Sequence, residues 1–253
     1  MDNVTYIFPI LKFDANKVSD AWRSIQNVTN EERDSVIVVG NKETLKEFSD
    51  LNLTEKASSF PVEIIFVESE ETSVYALVNE AVMQCTTEYF SVLEPGESYK
   101  SGWPKNANLY GKGSSVIIPL VNNLPADSSM ESFLSNELAW SASFNDENNL
   151  GVLSMDFLDK FMDVSLSGAY FNTEDFISIG KFKPSLKIVT WYEYLLRCAY
   201  KSKRVYVVPK IGVTRQYAET GEEISSGEAD WLIKTARQEY FFNEDREKKF
   251  EEE

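Results

Sequence analysis

Residues 73–99, SVYALVNEAVMQCTTEYFSVLEPGESY, decide how the rest of the chain is read. Ser73 is a helix N-cap type, and Val74, Leu77, Val78, Ala81 and Val82 follow it at helical spacing. Residues 89–93, YFSVL, are a short apolar run, the pattern of a strand buried on both faces. The run stops at Glu94-Pro95-Gly96-Glu97, a strong turn former between two carboxylates.

The same alternation extends upstream. Residues 4–11, VTYIFPIL, read as a first strand. Asp14 can cap a helix to residue 27, with Val18, Ala21, Trp22 and Ile25 on one face. Residues 35–39, SVIVV, and 62–67, VEIIFV, read as buried strands. Between them residues 42–51 form a helix with Leu45, Phe48 and Leu51 inward. Strands alternating with helices predict a mostly parallel α/β sheet with right-handed crossovers. Ligands of such sheets bind beyond the carboxyl ends of the strands, here near Lys12, Gly40, Glu68 and Glu94.

The second half is less regular. The pattern predicts a strand at 116–119, a polar loop at 121–129, short helices at 131–140 and 154–163, and a helix at 191–200. A strand at 205–208 and a long helix at 228–250 follow, with Trp231, Ile233, Ala236, Tyr240 and Phe241 as core contacts. The aromatic stripe Trp231, Tyr240, Phe241 and Phe242 predicts packing onto the core or a partner subunit, since a membrane anchor wants basic residues opposite. Gly111-Lys112-Gly113-Ser114-Ser115 lacks the spacing of a phosphate loop and reads as a turn. One domain over residues 1–222, with a C-terminal helical extension and acidic tail over 223–253, is the expected organisation.

Composition bounds the chemistry. The 253 residues are 43% hydrophobic and 13% aromatic, enough for a sizeable core. A formal charge of −16 disfavours nucleic acid, whose phosphates would be repelled. Cys85 and Cys198 sit in apolar helical patterns and read as reduced core residues. No apolar run approaches the length of a membrane span, and no signal-peptide pattern opens the chain, so a cytoplasmic location is expected. The chain contains no histidine, which removes His-based nucleophilic triads, His general bases and His-ligated zinc. A metal here would be hard and oxygen-ligated.

The order of parts resembles a GT-A glycosyltransferase of the family-2-like group. VTYIFPIL resembles its opening strand, VYALVNEA with Asn79 the helix after the third strand, and TEYFSVLEPGE the strand that delivers a metal-binding acidic turn. Residues 166–184, LSGAYFNTEDFISIGKFKP, resemble the acceptor-side segment, WYEYLLR the helix that starts with the catalytic acid, and VYVVPKIGVTRQYAETG the closing strand and loop. The resemblance covers residues 4–220 and implies a GT-A-like, Rossmann-like sheet flanked by helices. It implies transfer of a sugar from a nucleotide-sugar to an acceptor hydroxyl, with Mn²⁺ or Mg²⁺ on the leaving diphosphate and a carboxylate taking the hydroxyl proton.

The chemical positions depart from the family pattern. Glu94 and Glu97 replace the Asp-x-Asp metal pair, and read either as a metal site or as a solvated turn. The acidic pair expected seven and six residues before Arg197 is Thr190-Trp191, and neither is a base. Glu193 is a displaced base or an ion-pair partner of Arg197 at i+4. Glu174 and Asp175 are a second candidate catalytic pair, or an exposed helix start. Arg215 stands where the family often has a metal-binding histidine, and could neutralise a diphosphate without metal. Asn41 or Glu68 could meet the nucleotide base. Three altered chemical elements on an intact scaffold predict a degenerate, non-catalytic site. The chain would then be a binding or structural component of a larger assembly, such as a viral particle, with protein partners or as a homo-oligomer and with no cofactor. The alternative is an active transferase acting on a nucleotide-sugar and a glycan acceptor.

Overall fold

The computed structural model describes residues 3–30, 33–53, 62–125, 131–142, 151–217, 228–238 and 240. The expected boundary at 222/223, Phe241, Phe242 and the acidic tail lie outside the described residues.

Residues Val4–Ile10 (β1), Ser35–Gly40 (β2), Glu63–Glu68 (β3) and Tyr89–Val92 (β4) form the parallel half of one sheet, in the order β3-β2-β1-β4. Helices Ala15–Val28 (α1), Lys42–Asp50 (α2) and Val74–Val82 (α3) are the crossovers. Asp14 caps α1 by accepting from the backbone N–H groups of Asn16 and Lys17. Ser73 stands at the N-cap of α3 but makes no side-chain cap bond. The α/β sheet read from the sequence is the one observed, and its architecture is GT-A-like.

Alternation along β1 builds two cores. Tyr6, Phe8 and Ile10 point to one face, against Trp22 of α1 and Phe48 of α2; Ile7 points to the other, against Leu77 and Ala81 of α3. Trp22 and Phe48 meet edge-on with ring centroids 5.1 Å apart. With both faces covered, the parallel strands need no polar alternation.

Beyond β4 the sheet becomes mixed. The remaining strands are Glu97–Tyr99 (β5), Val116–Pro125 (β6), Phe133–Ser135 (β7), Tyr170–Asn172 (β8) and Val205–Tyr217 (β9), and the order continues β4-β8-β6-β9-β5, with β7 on β6. The helices are Trp103–Gly111 (α4), Glu137–Ala142 (α5), Met155–Lys160 (α6), Thr173–Ser178 (α7), Thr190–Tyr200 (α8) and residues 228–238 (α9).

Several expectations are corrected here. The strand expected at 116–119 runs on to Pro125, through residues read as a polar loop, because it pairs with β9 along its length. Pro119 lacks an N–H for the ladder, and the register shifts between Ile118 and Leu120 and again between Leu120 and Val121. The strand expected at 205–208 likewise runs to Tyr217. Residues 131–140 are a short strand followed by a short helix, and the helix at 154–163 is confined to Met155–Lys160. On α9, Leu232, Ala236 and Tyr240 enter the core at four-residue spacing, while Trp231 stays 62% exposed.

The segment 166–184 is sewn onto the scaffold. The Asn79 side chain donates to the Phe182 carbonyl and accepts from its N–H, each at 3.0 Å. Phe90, Phe171, Phe176, Phe182 and Tyr194 form one aromatic cluster beneath it. Gly168 has φ +66°, and a Cβ there would collide with Val213. Gly168→Ala therefore combines a strained backbone with overpacking. It should cost about 2 kcal/mol, read as a fall in Tm of about 4–8 °C.

Candidate functional site

A cavity of about 280 Å³ opens at the carboxyl end of β4. The start of α3, the start of α8, the loop 163–167 and the end of β9 wall it in. Glu94, Glu97, Asp163 and Arg215 are the charged groups that line it among the described residues.

The turn is built by Pro95 and Gly96. Gly96 has φ +94°, the left-handed position that a Pro-Gly turn supplies. The Glu97 N–H donates to the Glu94 carbonyl at 3.1 Å, and the Gln216 N–H donates to Gly96 at 3.2 Å. Glu97 is only 6% exposed. Its carboxylate accepts from the Glu94 N–H at 3.0 Å and from the Ser167 hydroxyl at 2.5 Å. Glu94 is exposed at the cavity mouth.

Arg215 is placed by register. It lies opposite Glu97 across the β5–β9 pair and opposite Asn123 across the β6–β9 pair. Its Nε and Nη2 donate to Asn123 Oδ1 at 3.0 and 2.7 Å. The fully buried Asn123 is itself fixed, since its amide donates to Ser135 Oγ at 2.9 Å. The guanidinium keeps further N–H groups for a ligand in the cavity.

Glu94 keeps contact with solvent at the mouth, but partial desolvation there pushes its carboxyl up to about 7, the nearby Glu97 adds to the rise, and Arg215 opposes it. Enclosure raises Glu97 as well, against the pull of its hydrogen bonds and of Arg215. Two carboxyls share one wall, and one guanidinium does not fully compensate them.

A divalent cation of the expected kind would need several oxygen ligands. Among the described residues no group of three or more ligating acidic or thiol side chains exists. Each Glu97 oxygen already accepts a hydrogen bond, and the Arg215 guanidinium beside the pair would repel a cation. The donor set suits a hydrogen-bonded carboxylate pair with a guanidinium better than a resident metal.

The other sequence candidates fall elsewhere. Glu193, 1% exposed, is fully engaged: Oε2 accepts from Arg197 at 2.9 Å, and Oε1 from Lys183 at 2.9 Å and from the Tyr240 hydroxyl at 2.5 Å. Arg197 also donates to the carbonyls of Ile179 and Lys181. This network clamps α8 to α9 and to the segment around Ile179–Lys183. Thr190 is buried and donates to the Lys183 carbonyl, while Trp191 lines the cavity. Glu174 and Asp175 lie at the amino end of β4, because β8 runs antiparallel to it and carries the chain away from the cavity. Burial works against its ionisation, but Lys203 and Ser115 hold the Asp175 carboxyl below its usual value. Asn41 follows β2 and Glu68 ends β3, on the same sheet edge as Glu94 but outside the cavity lining. Asn41 caps α2 by accepting from the Thr44 N–H at 2.9 Å. Asp163 was not singled out in the sequence; it is an acid after a short helix, and only the folded loop brings it to the cavity.

No family model matches the chain, and no curated protein matches it by sequence. Solved structures match by shape. Residues 1–349 of S. aureus TarS superpose with a TM-score of 0.59 at 13% identity, over 85% of this chain and 60% of that one. The same protein in complex with UDP-GlcNAc gives 0.65 at 11% identity, over 93% and 65%, and in complex with UDP 0.61 at 12%, over 94% and 72%. The chain thus spans about 60–72% of those crystallised chains. Likeness at this identity establishes the fold. No helix among the described residues is long and apolar enough to cross a membrane.

Glu193→Ala would leave the buried Arg197 without its carboxylate, and should cost about 3 kcal/mol in a denaturant titration. For Glu94 the sign is opposite. A raised carboxyl weakens the fold as pH climbs from the ordinary carboxylate range, and the full penalty is present above about 7. Glu94→Gln should therefore raise Tm at pH 8 and leave it nearly unchanged at pH 4.5. The gain is of the order of 2 °C, since solvent at the mouth screens part of the charge.

Proposed function

We propose that this chain is a glycosyltransferase-like protein that takes a nucleotide-sugar into the cavity at the end of β4, and that Arg215 meets the diphosphate in place of a metal. The observation that carries this reading is the charge arrangement. Two carboxyls are held in one cavity wall with their pKa values raised, facing a guanidinium fixed by Asn123. Such an arrangement costs stability and is typical of a site kept for a ligand. An arginine offers a diphosphate a planar, paired donor set. TarS, whose fold is shared, binds UDP-GlcNAc and UDP, which makes a UDP-sugar the first ligand to try. The nucleoside would lie along the sheet edge toward Gly40 and Asn41, two strands and about 10 Å from β4.

A second reading is favoured by Trp191. An indole stands at the cavity where the family resemblance places a base, and it accepts no proton. On that reading the centre is retired and the chain serves assembly, as a component of a larger particle, with the exposed Trp231 on its surface.

Thermal melts separate the two. UDP-GlcNAc at millimolar concentration should raise Tm in EDTA as well as in Mn²⁺. Arg215→Met should weaken binding about 10–100-fold, the worth of a charge-assisted pair. A rise that requires Mn²⁺ would reassign Glu94 and Glu97 as metal ligands. No rise with any nucleotide-sugar, together with a stable oligomer on sizing, would favour assembly.

A further inference from the structure

We infer that Asp163 is the carboxylate that takes the proton from the attacking hydroxyl in this cavity, an assignment that rests on the nucleotide-sugar reading above. Three carboxylates line the cavity among the described residues: Glu94, Glu97 and Asp163. Glu97 is buried, and each of its oxygens already accepts a hydrogen bond, one from the Glu94 N–H and one from Ser167. Glu94 belongs to the same turn, whose Glu97 lies opposite Arg215 across the β5–β9 pair, so a base there would stand on the side of the leaving group. Asp163 is exposed and, among the described residues, has no hydrogen-bond or ion-pair partner, so its lone pairs are available.

The loop that carries it is nevertheless pinned. Two residues on, Ser165 donates its N–H to Asn136 Oδ1 at 2.7 Å, and its carbonyl accepts from Asn136 Nδ2 at 2.9 Å. Asn136 is buried and also donates to the Pro119 carbonyl at 2.7 Å. A base on a pinned loop needs little reorganisation to act. Asp163 also lines an adjoining groove of about 380 Å³, walled by Phe133, Leu138 and Phe161, each of which keeps substantial exposed surface. It therefore stands at the junction of a nucleotide-sugar cavity and an open approach for a second substrate.

The step balances as follows. The acceptor oxygen bonds to C1 of the sugar while the bond from C1 to the diphosphate oxygen breaks. The electron pair leaves on the diphosphate beside Arg215. The hydroxyl proton passes to the Asp163 carboxylate, which then loses it to solvent.

Water can serve as the acceptor in a test, so the readout is UDP released from UDP-GlcNAc, with UDP-glucose run alongside. Asp163→Asn should lower the release rate by about 100-fold or more while the Tm shift caused by UDP-GlcNAc is unchanged. Glu174→Gln, at the far end of β4, should release UDP at the wild-type rate. If the Asn variant matches wild type, or if wild type binds the donor and releases no UDP, the assignment to Asp163 is overturned and the binding reading stands. If no donor shifts the melt, the nucleotide-sugar reading falls first and the assignment with it.

Discussion

The Glu97 carboxylate holds the site together. One of its oxygens closes the Pro95-Gly96 turn through the Glu94 N–H, and the other receives the Ser167 hydroxyl from a loop 70 residues away. Its backbone, in β5, pairs with β9 opposite Arg215. Turn, loop and closing strand are joined at one buried side chain. The group is expensive to bury, as its raised pKa records, and the fold tolerates it because the hydrogen bonds and Arg215 supply compensation.

A strongly acidic chain is an unexpected host for the proposed diphosphate. The net charge of −16 says little about the cavity, because exposed charges more than a Debye length away are screened. Local geometry decides. Within the cavity one guanidinium faces two carboxyls whose charge is weakened by enclosure. A bound diphosphate would favour protonation of Glu94, and protonated Glu94 would in turn favour the diphosphate, which is reciprocal linkage in one small space.

Much of the fold was legible because buried parallel strands are continuous apolar runs. VTYIFPIL, SVIVV and YFSVL announced β1, β2 and β4 with no need of partners. β6 and β9 were only half legible: VNNLP and KIGVTRQY are strands because they pair with each other, and composition does not record pairing. The site divided in the same way. Glu94, Glu97 and Arg215 were singled out from sequence, and all three line one cavity. Glu193 had an ambiguous helical partner in Arg197; Lys183 and Tyr240, which complete its shell, lie 10 and 47 residues away and leave no local signal. Asp163 was invisible for the reverse reason, since nothing in its neighbourhood distinguishes a cavity acid from a surface one.

The irregularity at Pro119 reaches further than its own strand. Glu97, Arg215 and Asn123 stand abreast on β5, β9 and β6, and the shifts around Leu120 fix that alignment. Side chains alternate between faces with every residue, so a slip of one position along β9 would turn Arg215 away and offer Thr214 or Gln216 instead. The charge presented to a ligand is thus written in backbone phase as well as in residue identity. A one-residue insertion or deletion beside the proline, harmless by composition, would move Asn123 out of register with Arg215 while every residue of the site remained in the sequence.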